Sequence, residues 1–198
     1  MRAVREAERA APPFAHRRAV AIWRGATTGY ACGATNPRWR LTSRWARSSS
    51  PRVSVGYDPR HVVQCFRGRR DVANLTKGRL SLPEMLGHKY VVAAEGNDVA
   101  TGLPWMLYTE SVPLMPRPTI ETWLLHGDLA AWREYVPLSD DFADLEEQVL
   151  WLEAHAERAL EIARAGRAFL ERTLGDRVRE AVVAGEVVRR TVERLHGA

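Results

Sequence analysis

Two short segments of this chain combine residue types suited to holding an anion. The first, Arg24-Gly25-Ala26-Thr27-Thr28-Gly29, follows the apolar run Ala19-Val20-Ala21-Ile22-Trp23, which is how a buried strand and a ligand-facing loop read. The second, Glu95-Gly96-Asn97-Asp98, follows an apolar run ending at Ala94 and precedes a helix predicted from Val99 to Thr109, with Asp98 as its cap. Strand, polar turn and helix in that order leave backbone N–H groups free for a negative charge. The competing reading of the second segment is an ordinary turn that starts a helix. A third loop, Pro116 to Glu121, follows the strand predicted at Ser111 to Met115 and leads into a helix predicted through Trp123.

The elements that must position these loops alternate between strand and helix. Val53 to Tyr57 is a second β-branched run, and the Arg-rich stretch Asn36 to Arg47 is long enough for a crossover helix, so the first two strands are expected to be parallel. Residues 58–80 show no clear period. Ser81-Leu82-Pro83-Glu84 has the capping-box form, with a short helix ending near Gly87. Lys89 to Ala94 reads as a buried strand. Pro113 points to an edge or a bulge at the next one. Tyr135 to Leu138 ends the strand series, and the rest is helical. Val178, Val182, Val183, Val187, Val188, Val192 and Leu195 form a stripe on one helix face that calls for burial. The order predicts an α/β fold, a Rossmann-like parallel sheet with helices on both faces and ligands at the carboxyl ends of the strands. Three parts are expected: a flexible basic tail over 1–17, a Rossmann-like domain over 18–174, and an amphipathic helix over 175–198.

The chain has 198 residues, is 45% hydrophobic and contains seven Trp, enough for one sizeable core. Residues 1–80 carry 17 Lys and Arg against four Asp and Glu, whereas residues 81–198 carry 12 against 20. A basic half suits a polyanion: nucleic acid, an anionic membrane face or a diphosphate. The absence of any zinc-finger, basic-zipper or RNA-recognition signature argues against nucleic acid. With no apolar run near the roughly 20 residues of a membrane span and no secretory signal, the expected location is cytoplasmic, at most peripheral to the inner membrane. Cys32 and Cys65 are expected to be reduced and receive no role.

The run from Lys89 to Trp105, KYVVAAEGNDVATGLPW, is similar to the donor-site segment of glycosyltransferase family 90. The similarity continues in order through Ser111 to Met115, Trp132 to Pro137, Asp141 to Glu147, and Ile162 to Phe169. Upstream, Trp23 to Gly29 and Asn36-Pro37-Arg38 resemble the family's basic strand-loop element. That family contains bacterial lipopolysaccharide and capsule-type transferases together with protein O-glucosyl and O-xylosyl transferases.

The resemblance implies the C-terminal half of a GT-B architecture, and a metal-independent, inverting transfer of sugar from a UDP-sugar to a glycan hydroxyl. It implies no bound cofactor and no metal site. Arg38 falls where relatives hold the diphosphate, which assigns it leaving-group stabilisation. Donor contacts are expected from Arg24, Thr27, Thr28, Glu95, Gly96, Asn97, Asp98, Val99 and Ala100, and from Glu121 through ribose hydroxyls. Each has a plain competitor: a surface arginine, a helix-initiating turn, a carboxylate that favours a helix dipole. His88 and His126 read as structural or exposed, and Trp105, Trp123 and Trp132 as core. Pro104 departs from the Arg or Lys that many relatives carry nearby. The family's first domain, which supplies the acceptor site and general base, has no counterpart before Arg18, so the chain reads as truncated, with no base identified. Partners would be the nucleotide-sugar, a glycan acceptor, and a partner chain or missing N-terminal domain. The alternative is a non-catalytic remnant that binds nucleotide or a partner chain.

Overall fold

The computed structural model describes residues 2–29, 31–175 and 177–196. Its elements are α1 (Arg2–Ala10), β1 (Arg18–Gly25), α2 (Pro37–Trp45), β2 (Val53–Tyr57), α3 (Arg70–Ala73), α4 (Leu82–Leu86), β3 (His88–Val92), α5 (Leu103–Tyr108), β4 (Val112–Met115), β5 (Val136–Pro137), α6 (Leu145–Ala154), α7 (Ala156–Gly175) and α8 (Arg177–His196). Five strands form one parallel sheet in the order β2-β1-β3-β4-β5. The expected α/β, Rossmann-like arrangement is therefore present.

Strand alternation divides the core into two layers. Ala21 and Trp23 of β1 and Tyr90 and Val92 of β3 face Leu41 and Trp45 of α2, the apolar side of α6, and Ala159, Ile162 and Ala163 of α7. Ile22 and Val91 point the other way, to Leu103, Met106 and Leu107 of α5 and to Phe169 and Leu170 at the far end of α7. One long helix thus contributes to both layers. The capping box starts α4 as expected, with Ser81 and Glu84 exchanging side-chain and backbone bonds. Before the sheet, Glu8 of α1 binds the buried Arg17 at 3.0 Å and accepts from Glu110 N at 2.7 Å, which fixes α1 against the amino ends of the strands.

Several expectations need correction. Pro113 lies in an interior strand, since β4 pairs with both β3 and β5. Leu114 O accepts from Ala93 N of the β3 side, so Pro113, one residue earlier, turns its nitrogen toward the β5 side. Pairing with β5 begins only at Leu114, so no ladder bond is missed. The helix expected from Val99 begins instead at Leu103: Pro104 is tolerated in a first turn and would break an interior one. No helix runs through Trp123. Backbone donors of that segment go to carboxylates, Thr119 N and Ile120 N to Glu95 and Gly127 N to Glu121, instead of to carbonyls four residues back. Trp123, expected in the core, is 62% exposed as a result. The apolar stripe of α8 is exposed too, Val178 at 76%, because no described element lies over most of it.

Cys32 is disulfide-bonded, not reduced. Its loop is drawn onto residues 61–64, where Thr27 N donates to His61 O and Gly29 N to Gln64 Oε1. Cysteine usage therefore gives no support to a reducing compartment. Among the described residues, no helix is long and apolar enough to cross a membrane.

Candidate functional site

β2 lies beyond β1 on one side of the sheet, and β4 lies beyond β3 on the other. The winding reverses between β1 and β3, so the loops leaving their carboxyl ends diverge and open a crevice. A cavity of about 470 Å³ fills it, lined by Trp23 to Ala26 and Thr28 after β1, by Arg38 of α2, and by Ala94 and Gly96 to Gly102 after β3.

Arg38 joins the two loops. Asn36 caps α2, its Oδ1 accepting from Trp39 N at 3.1 Å, and Pro37 occupies the first turn, so residue 38 sits at the helix end that faces the crevice. Arg38 Nε donates to Ala94 O at 3.2 Å, and Nη1 donates to Ala26 O at 3.3 Å and to Thr28 Oγ1. The guanidinium stands 5.9 Å from the Trp23 ring centroid. Gly96 closes against it: a β-carbon there would come within 2.8 Å of Arg38 Cζ and Nη2. Among the described residues Arg38 forms no ion pair. Its acceptors are two carbonyls and a hydroxyl, and burial lowers its pKa from the usual guanidinium value. A desolvated cation that faces a cavity with no carboxylate in ion-pair distance, although Asp98 lines the same cavity, is an incomplete arrangement, which an anionic ligand would complete.

The other expected residues divide. Arg24 lines the cavity, but four of its five N–H donors go to Gly78 O, Trp23 O, Ser54 O and Ser54 Oγ, so it braces β1 against β2. Asn97 Oδ1 accepts from Gln64 at the rim. Within the turn, Gly96 N donates to Asp98 O and Val99 N to Asp98 Oδ1, which takes two of the backbone donors expected to face an anion. Val99 and Ala100 contribute wall. Thr27 points away: its fully buried hydroxyl exchanges bonds with Val63 N and O. Glu95 clamps Thr119 and Ile120 and lines a second, smaller cavity of about 130 Å³. Glu121 is bound to Gly127 N and Thr122 N, borders a groove beside α8, and lies outside the Arg38 crevice, with Oε1 3.9 Å from His126 Nδ1.

Three contributors escaped the sequence reading. Trp23 provides the face beneath Arg38, and its place at the end of an apolar run was the available signal. Trp105, read as core, lines the cavity wall. His126, read as structural or exposed, is buried in the wall of the second cavity. Among the described residues no cluster of three His, Cys, Asp or Glu is placed to hold a metal ion.

The sequence profile of glycosyl transferase family 90 matches residues 1–181. The chain belongs to glycosyltransferase family 90. It is 36% identical over 147 residues to the O-glucosyltransferase LpsA of Dichelobacter nodosus, covering 74% of this chain and 41% of that protein. It is 31% identical over 81 residues to the Protein O-glucosyltransferase 3 of Rattus norvegicus, covering 40% of this chain and 16% of that one. The chain therefore spans less than half the length of these curated relatives. Within this family 90 chain, Pro104 occupies the first turn of α5 and brings no charge to the crevice, where the two guanidinium groups are those of Arg24 and Arg38.

Proposed function

We propose that this chain is the donor-binding part of a family 90 glycosyltransferase, holding a UDP-sugar in the crevice between β1 and β3 for transfer to a hydroxyl of a glycan of lipopolysaccharide or capsule type. The observation that carries the reading is Arg38, a partly buried guanidinium facing a cavity at the strand switch and in no ion pair among the described residues. A diphosphate leaving group gathers negative charge as the glycosidic bond breaks. A preorganised guanidinium stabilises that charge where other transferases use a divalent cation. The Trp23 ring beneath Arg38 and the bonds to Ala94 O and Ala26 O hold the guanidinium in place before donor arrives, so little reorganisation accompanies binding. The reading assigns leaving-group stabilisation to Arg38 and no general base to this chain.

The test is equilibrium binding of UDP-glucose in magnesium and again in excess chelator. Equal affinity in both supports the proposal. Binding that vanishes with the chelator refutes the metal-independent form, and no binding by folded protein refutes the donor site.

One observation favours the second reading, nucleotide binding without transfer and with a partner chain: the exposed face of α8, including Val178, Val182, Val188 and Leu195, with Trp123 exposed nearby. Apolar area of that kind marks contact surfaces. Sedimentation of the chain alone and with UDP distinguishes a monomer from an assembly.

A further inference from the structure

The segment before Arg18 is helical and docked, and with α5 and α7 it encloses a cavity of about 390 Å³ at the amino ends of the strands, across the sheet from the Arg38 crevice. Pro12, Pro13 and the ring of Tyr108 give this cavity apolar walls. Two parts of its polar lining are unmet. The side chain of Glu8 is 10% exposed, and its Oε1 accepts from Arg17 Nη2 at 3.0 Å and from Glu110 N at 2.7 Å, while its Oε2 is buried with no hydrogen-bond partner. Arg5 and Arg9 also line the cavity, four residues apart and therefore on one face of α1. Among the described residues neither forms an ion pair or donates a hydrogen bond. The other two guanidinium groups of the lining are engaged, Arg17 with Pro12 O, Ser111 Oγ and Glu8, and Arg167 with Glu171 and Tyr108 Oη.

The two unmet parts ask for opposite chemistry. A carboxylate oxygen only accepts, so Glu8 Oε2 calls for an O–H or N–H group. A pair of guanidinium groups calls for an anion, and their forked donors match a phosphate. Arg5 does not meet Glu8 itself, although three residues is a pairing distance on a helix, because its guanidinium is turned to the Tyr108 ring, 5.9 Å from the centroid. A bare anion would satisfy the arginines and leave the carboxylate oxygen unmet, and a neutral sugar would do the reverse. A molecule that carries both a phosphate and hydroxyl groups meets both, and the volume falls within the roughly 300–1,000 Å³ of small-molecule sites.

We propose that this cavity is a binding site for a sugar phosphate, with the phosphate on Arg5 and Arg9 and one hydroxyl donating to Glu8 Oε2. It stands apart from the donor-site reading, since no residue lines both cavities. The site holds its ligand and makes or breaks no bond in it. Occupancy ties α1 to the rest of the fold, so the ligand raises the stability of the chain by mass action.

The test is calorimetric titration of the full chain with glucose 6-phosphate, glucose and inorganic phosphate, for wild type and for the double variant Arg5→Ala with Arg9→Ala, with and without excess UDP. Glucose 6-phosphate should bind wild type, and glucose and inorganic phosphate should each bind about tenfold or more weakly than it does. The double variant should lose about tenfold or more in affinity for glucose 6-phosphate, and excess UDP should leave the wild-type value unchanged. Inorganic phosphate that binds as tightly as glucose 6-phosphate overturns the role of Glu8, and glucose that does so overturns the role of the arginines. Unaltered affinity in the double variant, or displacement by UDP, moves the ligand to the crevice and overturns this site while the donor site stands. Failure of folded wild type to bind glucose 6-phosphate overturns it as well. Should the double variant melt early, Arg9→Ala alone decides, because that side chain has no partner among the described residues.

Discussion

Replacing Gly96 with alanine would put a methyl group 2.8 Å from Cζ and Nη2 of Arg38 and 3.0 Å from Thr28 Oγ1. Carbon contacts relax to about 3.5–4.0 Å, so the guanidinium must retreat by roughly 1 Å. It is the far end of a flexible side chain, and the backbone of both loops can stay where it is. The retreat would be taken from the bonds to Ala94 O and Ala26 O, already 3.2 and 3.3 Å long, and from the alignment of the charge with a diphosphate. Losing one charge-assisted hydrogen bond costs about 1.5–3 kcal/mol. That corresponds to roughly 10- to 150-fold in Kd. Global stability should fall by no more than about 1 kcal/mol, since no core contact is lost. Calorimetric titration of Gly96→Ala with UDP, beside its thermal melt, reads both quantities. A variant that binds UDP as tightly as wild type, or one whose loss of affinity merely follows a collapse in stability, would refute the claim that residue 96 is glycine to admit Arg38.

Other substitutions test the scaffold. Glu8→Ala leaves Arg17, whose side chain is 1% exposed, with only the more distant carboxylate of Glu110 at 3.9 Å; it should destabilise the chain by about 3 kcal/mol in urea denaturation. Gly166→Ala pushes a methyl group to 3.1 Å from Glu134 O and 3.0 Å from Leu107 Cδ2 between α7 and α5, with an expected cost of about 1–3 kcal/mol in the same assay. Burial lowers the pKa of His88 and His126 in the folded state, so the unfolded chain takes up protons that the folded chain resists. Their contribution is complete above about pH 6.5 and is lost as pH falls from there toward the lowered folded values. Thermal midpoints should drop between pH 7 and pH 5, and His88→Gln should flatten that slope.

Where local chemistry decides an element, the sequence was sufficient. The apolar run before Arg24, the Asn36-Pro37 start of α2 and the Ser81 capping box each specify their structure within a few residues, and the structure contains all three. From these the parallel pairing of β1 and β2 follows, and with it the crevice side of the sheet. Thr28 and Gly96 were legible as neighbours because two loops at the same sheet end must face each other, whereas Arg38 of α2 was pointed to only by the resemblance to the family. What escaped were side chains whose partners lie far along the chain. Thr27 turns to Val63, Glu95 to Thr119, and Glu121 to Gly127, so polar residues that look free for a ligand are spent on loop backbone. Period and capping rules carry no information about such pairs. Pro113 misled for the same reason, because its harmlessness depends on where β5 begins to pair. The burial of His126 gave no signal either, since it is decided by three-dimensional packing.

The central claim, that Arg38 supplies the charge that holds a donor diphosphate, is tested most directly by titrating wild type, Arg38→Ala and Arg38→Lys with UDP-glucose in the presence of chelator. The account predicts metal-independent binding by wild type, a loss of about 100-fold or more in Arg38→Ala, and partial recovery in Arg38→Lys, which keeps the charge but not the forked geometry. An Arg38→Ala variant that stays folded and binds UDP-glucose as well as wild type would contradict it.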